Sequence, residues 1–178
     1  MDPLSTRRAA VAALLLSFGP VLRALEPSQP TESQIKAAFL LNFTKFIEWP
    51  AGEASAPGTP FPICLAGEDP FGGFLDQLVE GENVNGRKIA VRHLHGEPQG
   101  TCGILYVSRQ EKNVPELLAA AGPGVLTVGE GDSFLDEGGM IAFVLEDRRV
   151  RFNIDKSAAQ KAGLKLSSRL LGVARTVR

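Results

Sequence analysis

Large apolar side chains recur at helical spacing between residues 33 and 50, where the chain has its clearest pattern. Thr31 and Gln34 have the spacing of a capping box, which indicates a helix start. Pro50 disfavours helical geometry at Trp49 and so predicts the helix end. On a helical wheel one apolar face contains Ile35, Phe39, Phe43, Phe46 and Trp49. The segment therefore predicts a core helix.

Asn42 falls in the middle of that predicted apolar face, whereas Lys36 and Thr44 fall outside it. A buried amide without hydrogen-bond partners costs about 1 to 3 kcal/mol. We therefore expect Asn42 to bond either to neighbouring backbone or to a ligand. The backbone role is the commoner one for buried polar side chains.

Shorter apolar runs follow, separated by turns rich in glycine, proline and asparagine. The expected order is strand 61–67, helix 71–80, strand 87–95, strand 102–108, helix 110–121 and strand 125–128. This alternation favours parallel pairing. Runs at 140–145 and 150–154, joined by a short charged turn, instead predict an antiparallel hairpin. The predicted fold class is α/β, a single domain with a mixed β-sheet flanked by helices.

Apolar and polar residues alternate along the second strand of that hairpin. Apolar Val150, Phe152 and Ile154 alternate with polar residues, which are Arg149, Arg151, Asn153 and Asp155. One face of this strand is therefore expected to meet solvent or a partner.

The chain after Asp155 contains cations and no carboxylate. The cations are Lys156, Lys161, Lys165, Arg169, Arg175 and Arg178. One interpretation is a surface for an acidic partner or an anionic ligand. The other is that cations near helix C-termini complement the helix dipole. Ser167 and Ser168 are expected to cap a last helix whose apolar residues pack on the core, namely Leu170, Leu171, Ala174 and Val177.

Residues 1–24 have the features of an export signal. Arg7 and Arg8 precede an apolar run at 9–22, and Ala24 offers a small residue for cleavage. That run is shorter than the roughly 20 residues that span a bilayer. We expect an exported, periplasmic protein whose mature domain covers 25–178. Its net charge near −3 gives no indication of nucleic-acid binding.

The two cysteines of the chain, Cys64 and Cys102, both lie in apolar runs that are expected to be strands. In an oxidising compartment they are expected to form one disulfide, and two buried free thiols are the alternative. A loop of this length stabilises the fold by roughly 4 kcal/mol in the chain-entropy model.

Motifs that resemble catalytic elements are incomplete. Ser33 and Lys36 have S-x-x-K spacing, but the K-T-G and S-D-N elements of that chemistry are missing. His93 and His95 could begin a metal site with Glu97, although a solvated strand end is the simpler interpretation. We therefore predict a protein that is not an enzyme and that has no metal or cofactor.

Seven segments follow one another between residues 37 and 171, namely AAFLLNFTKFIEWP, ICLAGEDPFG, NGR, TCGILYVS, VLTVGEGDSF, GGMIAFVLED and VRFNIDKSAAQKAGLKLSSRLL. Their order and spacing resemble the YfiR-like family of periplasmic regulatory proteins. The resemblance implies a small α/β protein, often a homodimer, that represses an inner-membrane diguanylate cyclase by contacting its periplasmic sensor region. It also implies an outer-membrane lipoprotein that sequesters the repressor.

The resemblance further implies that Cys64 and Cys102 correspond to a disulfide of the family. The best-known member has a second pair, which this chain lacks, so redox control through that second bridge is not implied here. Family members also serve other membrane sensors, and the residues do not identify which sensor is served.

A binding module is the function that these observations predict. The candidate partner or ligand contacts are Asn42, Arg87, Arg151, Asn153, Asp155, Lys156, Arg169 and Arg175. The alternative hypothesis is a periplasmic small-ligand-binding accessory protein for another membrane sensor, such as a histidine kinase. Its ligand would occupy a crevice between helix and sheet near Asn42 and Arg87.

Overall fold

A mixed eight-stranded sheet forms the centre of the computed structural model, which describes residues 29–50, 58–95 and 102–178. The strands are β1 (Ile47–Glu48), β2 (Phe61–Ala66), β3 (Asn83–Val84), β4 (Arg87–Leu94), β5 (Ile104–Val107), β6 (Leu126–Glu130), β7 (Ile141–Glu146), β8 (Arg149–Ile154), β9 (Lys165–Leu166) and β10 (Thr176–Val177). The helices are α1 (Glu32–Phe46), α2 (Phe74–Val79), α3 (Val114–Ala121), α4 (Ser133–Asp136), α5 (Lys156–Lys161) and α6 (Ser168–Val173).

The strand order confirms the predicted fold class. The order in the large sheet is β10-β8-β7-β6-β5-β2-β4-β3, and β1 pairs separately with β9. The five central strands, β4, β2, β5, β6 and β7, are parallel to one another, as the alternation of strands and helices predicted. The predicted hairpin of β7 and β8 is antiparallel. Apolar side chains of α1, α2 and the sheet form the main core.

Helix α1 begins as predicted and ends earlier. The Thr31 hydroxyl accepts a hydrogen bond from the Gln34 amide at 3.3 Å, and the Gln34 side chain accepts one from the Thr31 amide at 2.9 Å. The helix stops at Phe46 because Ile47 is extended and pairs with Leu166. Trp49 is non-helical, as Pro50 predicted, but the helix ends three residues before it.

The buried face of α1 also differs from the predicted one. Its buried residues are Lys36, Ala37, Leu40, Leu41, Phe43 and Thr44. Asn42 is exposed, so its predicted burial is wrong. Apolar residues occur on nearly every side of this helix, so the wheel constrained its orientation only weakly. The buried Thr44 hydroxyl is satisfied by donating to the Leu41 carbonyl at 2.6 Å.

The predicted disulfide is confirmed. Cys64 lies on β2 and Cys102 just before β5, the strand next to it in the sheet. Their Cα atoms are 5.9 Å apart and their sequence separation is 38 residues. Both side chains are buried.

Several elements were shorter than predicted or were missed. Gly72 and Gly73, both with positive φ, delay the start of α2 until Phe74. Helices α4 and α5 and the two-residue strands were not predicted. Ser167 caps α6 as predicted, accepting from the Leu170 amide at 3.2 Å. Val177 lies on the edge strand β10 and is exposed, so its predicted packing on the core is wrong.

Candidate functional site

Charged side chains meet at the carboxyl ends of β5 and β6, under the first turns of α1. Lys36 Nζ lies 3.0 Å from Glu130 Oε2 and 2.5 Å from Glu32 Oε1. The Tyr106 hydroxyl donates to Glu130 Oε1, and Arg109 Nε lies 3.4 Å from Glu130 Oε2. We call these five residues the buried ion cluster.

The protonation states of this cluster follow from its burial and its hydrogen bonds. The side chains of Lys36 and Glu130 are only 8% and 9% exposed. Burial favours a higher pKa for Glu130, but the hydrogen bonds from Tyr106 and Lys36 outweigh it and hold the pKa below its ordinary value. Burial and the bond to Glu130 raise the pKa of Tyr106. Glu130 is therefore an anion and Tyr106 is neutral at neutral pH.

The cluster has two cations and two carboxylates, so its formal charges cancel. It ties α1 to the ends of two strands and leaves no uncompensated charge for a ligand. The sequence offers one signal for it, the i, i+4 spacing of Glu32 and Lys36. The contact with Glu130 could not be found that way because that residue is distant in sequence.

Three of the C-terminal cations are already paired within the fold, and one of them is Lys165, whose Nζ lies 4.0 Å from Glu48 Oε2. Arg175 Nε lies 2.8 Å from Glu146 Oε1. Arg178 Nη1 lies 2.7 Å from Asp136 Oδ1, and its Nε lies 3.1 Å from Asp155 Oδ2. The segment after Asp155 lacks carboxylates, but earlier elements supply them. Arg175 is therefore a poor candidate for an unoccupied anion contact.

Three other candidate contacts remain exposed cations. Arg151, Lys156 and Arg169 all lie on the surface. No ion pair joins any of the three to a carboxylate within residues 29–50, 58–95 and 102–178. Their charges are available to a partner.

The side chains of Asn153 and Asp155 form hydrogen bonds within the fold. Asn153 is buried, and its Nδ2 donates to Asp132 Oδ1 at 2.6 Å. Its predicted place on a solvent-facing side of the strand is wrong, because β10 pairs beside it and Arg175 donates to its Oδ1 at 3.5 Å. Asp155 caps α5 by accepting from the Ala158 amide at 2.8 Å.

The guanidinium of Arg87 donates to two backbone carbonyls and lies over an aromatic ring. Its Nε donates to the Thr59 carbonyl at 3.0 Å and its Nη2 to the Pro60 carbonyl at 2.5 Å. Its guanidinium carbon lies 5.5 Å from the centre of the Phe61 ring. Burial lowers the pKa of Arg87. These contacts fix the segment that enters β2.

Asn42 lines a groove of about 500 Å³ on the outer side of α1, beside α2. The groove is lined by Pro30, Gln34, Ile35, Ala38, Phe39, Asn42 and Phe74. Arg87 is not among these residues. The structure therefore does not bring Asn42 and Arg87 together in the predicted crevice.

Three further expectations concern a metal site, the export signal and a membrane-spanning helix. In the described part of the chain, no three His, Cys, Asp or Glu side chains are grouped so that they could hold a metal ion. Glu97, the suggested third ligand beside His93 and His95, lies outside the described residues, as does the predicted export signal at 1–24. None of the described helices combines the length and the hydropathy that a bilayer-spanning helix needs.

The family of this chain follows from a match to a known family model. The model of the YfiR/HmsC-like family matches residues 33–175, which is most of the sequence. The chain belongs to the YfiR/HmsC-like family. This family is known for regulating cyclic di-GMP signalling in the periplasm and is regulatory rather than catalytic. The resemblance inferred from the ordered segments is thereby confirmed.

Curated proteins and solved structures give no second family for this YfiR/HmsC-like chain. No curated protein matches the chain in sequence. A solved structure of a conserved domain protein from Vibrio cholerae O1 biovar El Tor is similar, with a TM-score of 0.44 and 12% identity. The match covers 66% of this YfiR/HmsC-like chain and 55% of that one. The chain thus spans about half the length of that protein.

Proposed function

We propose that this protein is a periplasmic regulator that binds the periplasmic sensor region of an inner-membrane diguanylate cyclase and represses it. Cyclic di-GMP in the cell falls as a result. The family match over residues 33–175 is the observation that carries the proposal. The further partners that we propose are an outer-membrane lipoprotein, which relieves repression, and a second copy of the chain.

The described side chains support a binding role. The buried ion cluster is balanced in charge and joins α1 to the sheet. Arg151, Lys156 and Arg169 instead present exposed positive charge without a partner in the described ranges. Complementary surface charge speeds association and selects partners. We propose these three cations as contacts for acidic residues of the sensor region.

Deleting the gene in its own host is expected to raise cellular cyclic di-GMP. The nucleotide would be quantified by mass spectrometry in the deletion strain, with complementation by the full chain or by a form lacking residues 1–24. Only the full chain should restore the lower level, because the proposed contact is made on the periplasmic side of the inner membrane, which the form without residues 1–24 would not reach. Equal rescue by both forms, or an unchanged level in the deletion strain, would contradict the proposal.

Reversing the charge of Arg151, Lys156 and Arg169 to glutamate is expected to weaken binding to the purified sensor region by about 10-fold or more. The measurement is a calorimetric titration at low salt. The matched control reverses Lys45, Lys88 and Lys112, which are also exposed, lie outside the C-terminal group of cations and change the net charge equally. Equal losses in both triple variants would show a net-charge effect and reject these three contacts.

A further inference from the structure

Strand β4 borders the large sheet along most of its length. Its inner side pairs with β2 as far as Leu94, whereas β3 covers only residues 87–88 on its outer side. The last hydrogen bond on that outer side is donated by the Ile89 amide to the Glu82 carbonyl at 3.0 Å. We call residues 90–94, which follow this bond, the open edge of β4.

The backbone groups of the open edge point alternately toward β2 and away from it. Neighbouring residues of a strand direct their N–H and C=O groups to opposite sides. The Ile89 amide points outward, so the amides and carbonyls of Val91 and His93 point outward as well. No residue within the described ranges forms a backbone hydrogen bond with these outward groups. They present two donors and two acceptors in a row, which an extended segment can pair in full.

The side chains of β4 indicate the chemistry of such a segment. The strand has the sequence RKIAVRHL, which contains three cations and no carboxylate. Successive side chains of a strand alternate between the two faces of the sheet, so exposed Arg92 lies on one face and half-buried Val91 on the other. His93 and His95 are exposed at the end of the strand. A segment in which acidic and apolar side chains alternate is therefore complementary to this edge.

We propose that the open edge of β4 binds an extended, acidic segment of a partner protein as an additional strand of the sheet. The main chain of the segment pairs with Val91 and His93. Its carboxylates lie on the same face as Arg92, and its apolar side chains lie on the same face as Val91. In the strand order this edge and Arg151 on β8 lie at opposite ends of the sheet, so the surface goes beyond the contacts proposed for the sensor region.

Two other interpretations of this edge fit the charges of β4 less well. A second copy of the chain is disfavoured as the occupant, because pairing two β4 strands places cations beside cations. Charged side chains on an edge strand also hinder unwanted pairing of sheets. That protective role requires no particular sign of charge, whereas the charges of β4 are all positive. A single sign favours one class of partner, which is acidic.

A titration of the isotope-labelled, exported chain followed by nuclear magnetic resonance tests the proposal. The probe is a short synthetic peptide in which glutamate and valine alternate, and the control peptide has lysine in place of glutamate. With the glutamate peptide we expect saturable shifts of the amide signals of Val91 and His93. At saturation the hydrogen exchange of these two amides should slow by about 10-fold or more, because the peptide covers them. The lysine peptide should produce neither effect.

A proline substitution tests the proposed backbone pairing. Val91→Pro removes an outward donor and leaves the bonds to β2 in place, so it should weaken binding of the glutamate peptide by about 5-fold. The matched control is Val177→Pro on the other edge strand, β10, where the Arg178 amide bonds inward to Ile154 and the Val177 amide therefore points outward. This control should bind the peptide as the wild type does. Thermal unfolding shows whether both variants are folded, and His93→Glu, which places a carboxylate beside the acidic segment, replaces Val91→Pro if that variant is unfolded.

Three results would overturn the proposal. They are unchanged Val91 and His93 signals at about 1 mM glutamate peptide, which is the weak end of the affinity scale, equal effects of the two peptides, and undiminished binding by the folded edge variant. None of these measurements involves cyclic di-GMP or the charge-reversed cations of the proposed sensor contact. Failure here and failure of the proposed function can therefore be told apart.

Discussion

Replacing Lys36 with methionine is expected to lower the free energy of unfolding by about 3 kcal/mol at neutral pH. The change removes the ammonium group that lies 3.0 Å from Glu130 and leaves that carboxylate buried. Methionine has a similar length, so the loss of packing is small. Arg109 compensates only in part, because its side chain is 66% exposed and its Nε lies 3.4 Å away. Urea unfolding monitored by circular dichroism gives the measurement.

The stability loss should depend on pH with a defined sign. In the wild type, the lowered pKa of Glu130 stabilises the fold above the unfolded-state value of about 4.3, and this contribution disappears as pH falls through the lower folded value. In Lys36→Met the bond from Lys36 is missing, so burial raises the pKa of Glu130 relative to the wild type. Protonation of Glu130 then removes the buried, unpaired negative charge that destabilises the variant. The difference in stability between the two proteins should therefore shrink as pH falls toward about 4.

Two further variants isolate the Lys36 effect. Lys45→Met removes an exposed pair, whose atoms lie 3.2 Å apart, and should change stability by about 0.5 kcal/mol or less. The double variant Lys36→Met with Glu130→Gln no longer has a buried, unpaired carboxylate and should be more stable than Lys36→Met alone. Equal losses in Lys36→Met and Lys45→Met would show that the buried ion cluster does not stabilise α1.

Removing the disulfide is expected to lower the free energy of unfolding by up to about 4 kcal/mol. Cys64 and Cys102 are separated by 38 residues, so the bond removes much of the freedom of the unfolded chain. Alanine at both positions avoids placing new polar groups in the core, since both side chains are buried. The measurement compares urea unfolding of the wild type with that of the double alanine variant.

The reductant response provides the control for the disulfide. The chain has no other cysteine, so a reductant should lower the stability of the wild type and leave the double alanine variant unchanged. If the wild type unfolds at the same urea concentration with and without reductant, the bond does not contribute the expected stability. An equal response of both proteins would identify a general effect of the reductant.

The sequence predicted those parts of the fold that depend on local patterns. Alternating strands and helices indicated the parallel centre of the sheet, and the charged turn at 146–149 indicated the hairpin. The cap of α1 was readable from Thr31 and Gln34 alone. The two cysteines could be paired because the chain contains no others. In each case the decisive residues are close in sequence or leave no alternative partner.

Features that depend on distant contacts were not predictable. The orientation of α1 is set by its packing on the sheet and by the ion pair of Lys36 with Glu130, neither of which leaves a periodic pattern. Arg175 resembled an open anion contact, yet Glu146 and Asp132 lie beside it in the fold. Asn153 alternates with apolar residues but becomes buried once β10 pairs beside it.

Cyclic di-GMP synthesis in spheroplasts tests repression from the periplasmic side most directly. Spheroplasts of the deletion strain expose the outer side of the inner membrane, so purified protein can be added there without entering the cytoplasm. Our account predicts that the added protein lowers cyclic di-GMP synthesis, and that the Arg151, Lys156 and Arg169 charge-reversal variant does so far less. Unchanged synthesis at saturating wild-type protein would contradict the proposed repression of a membrane cyclase.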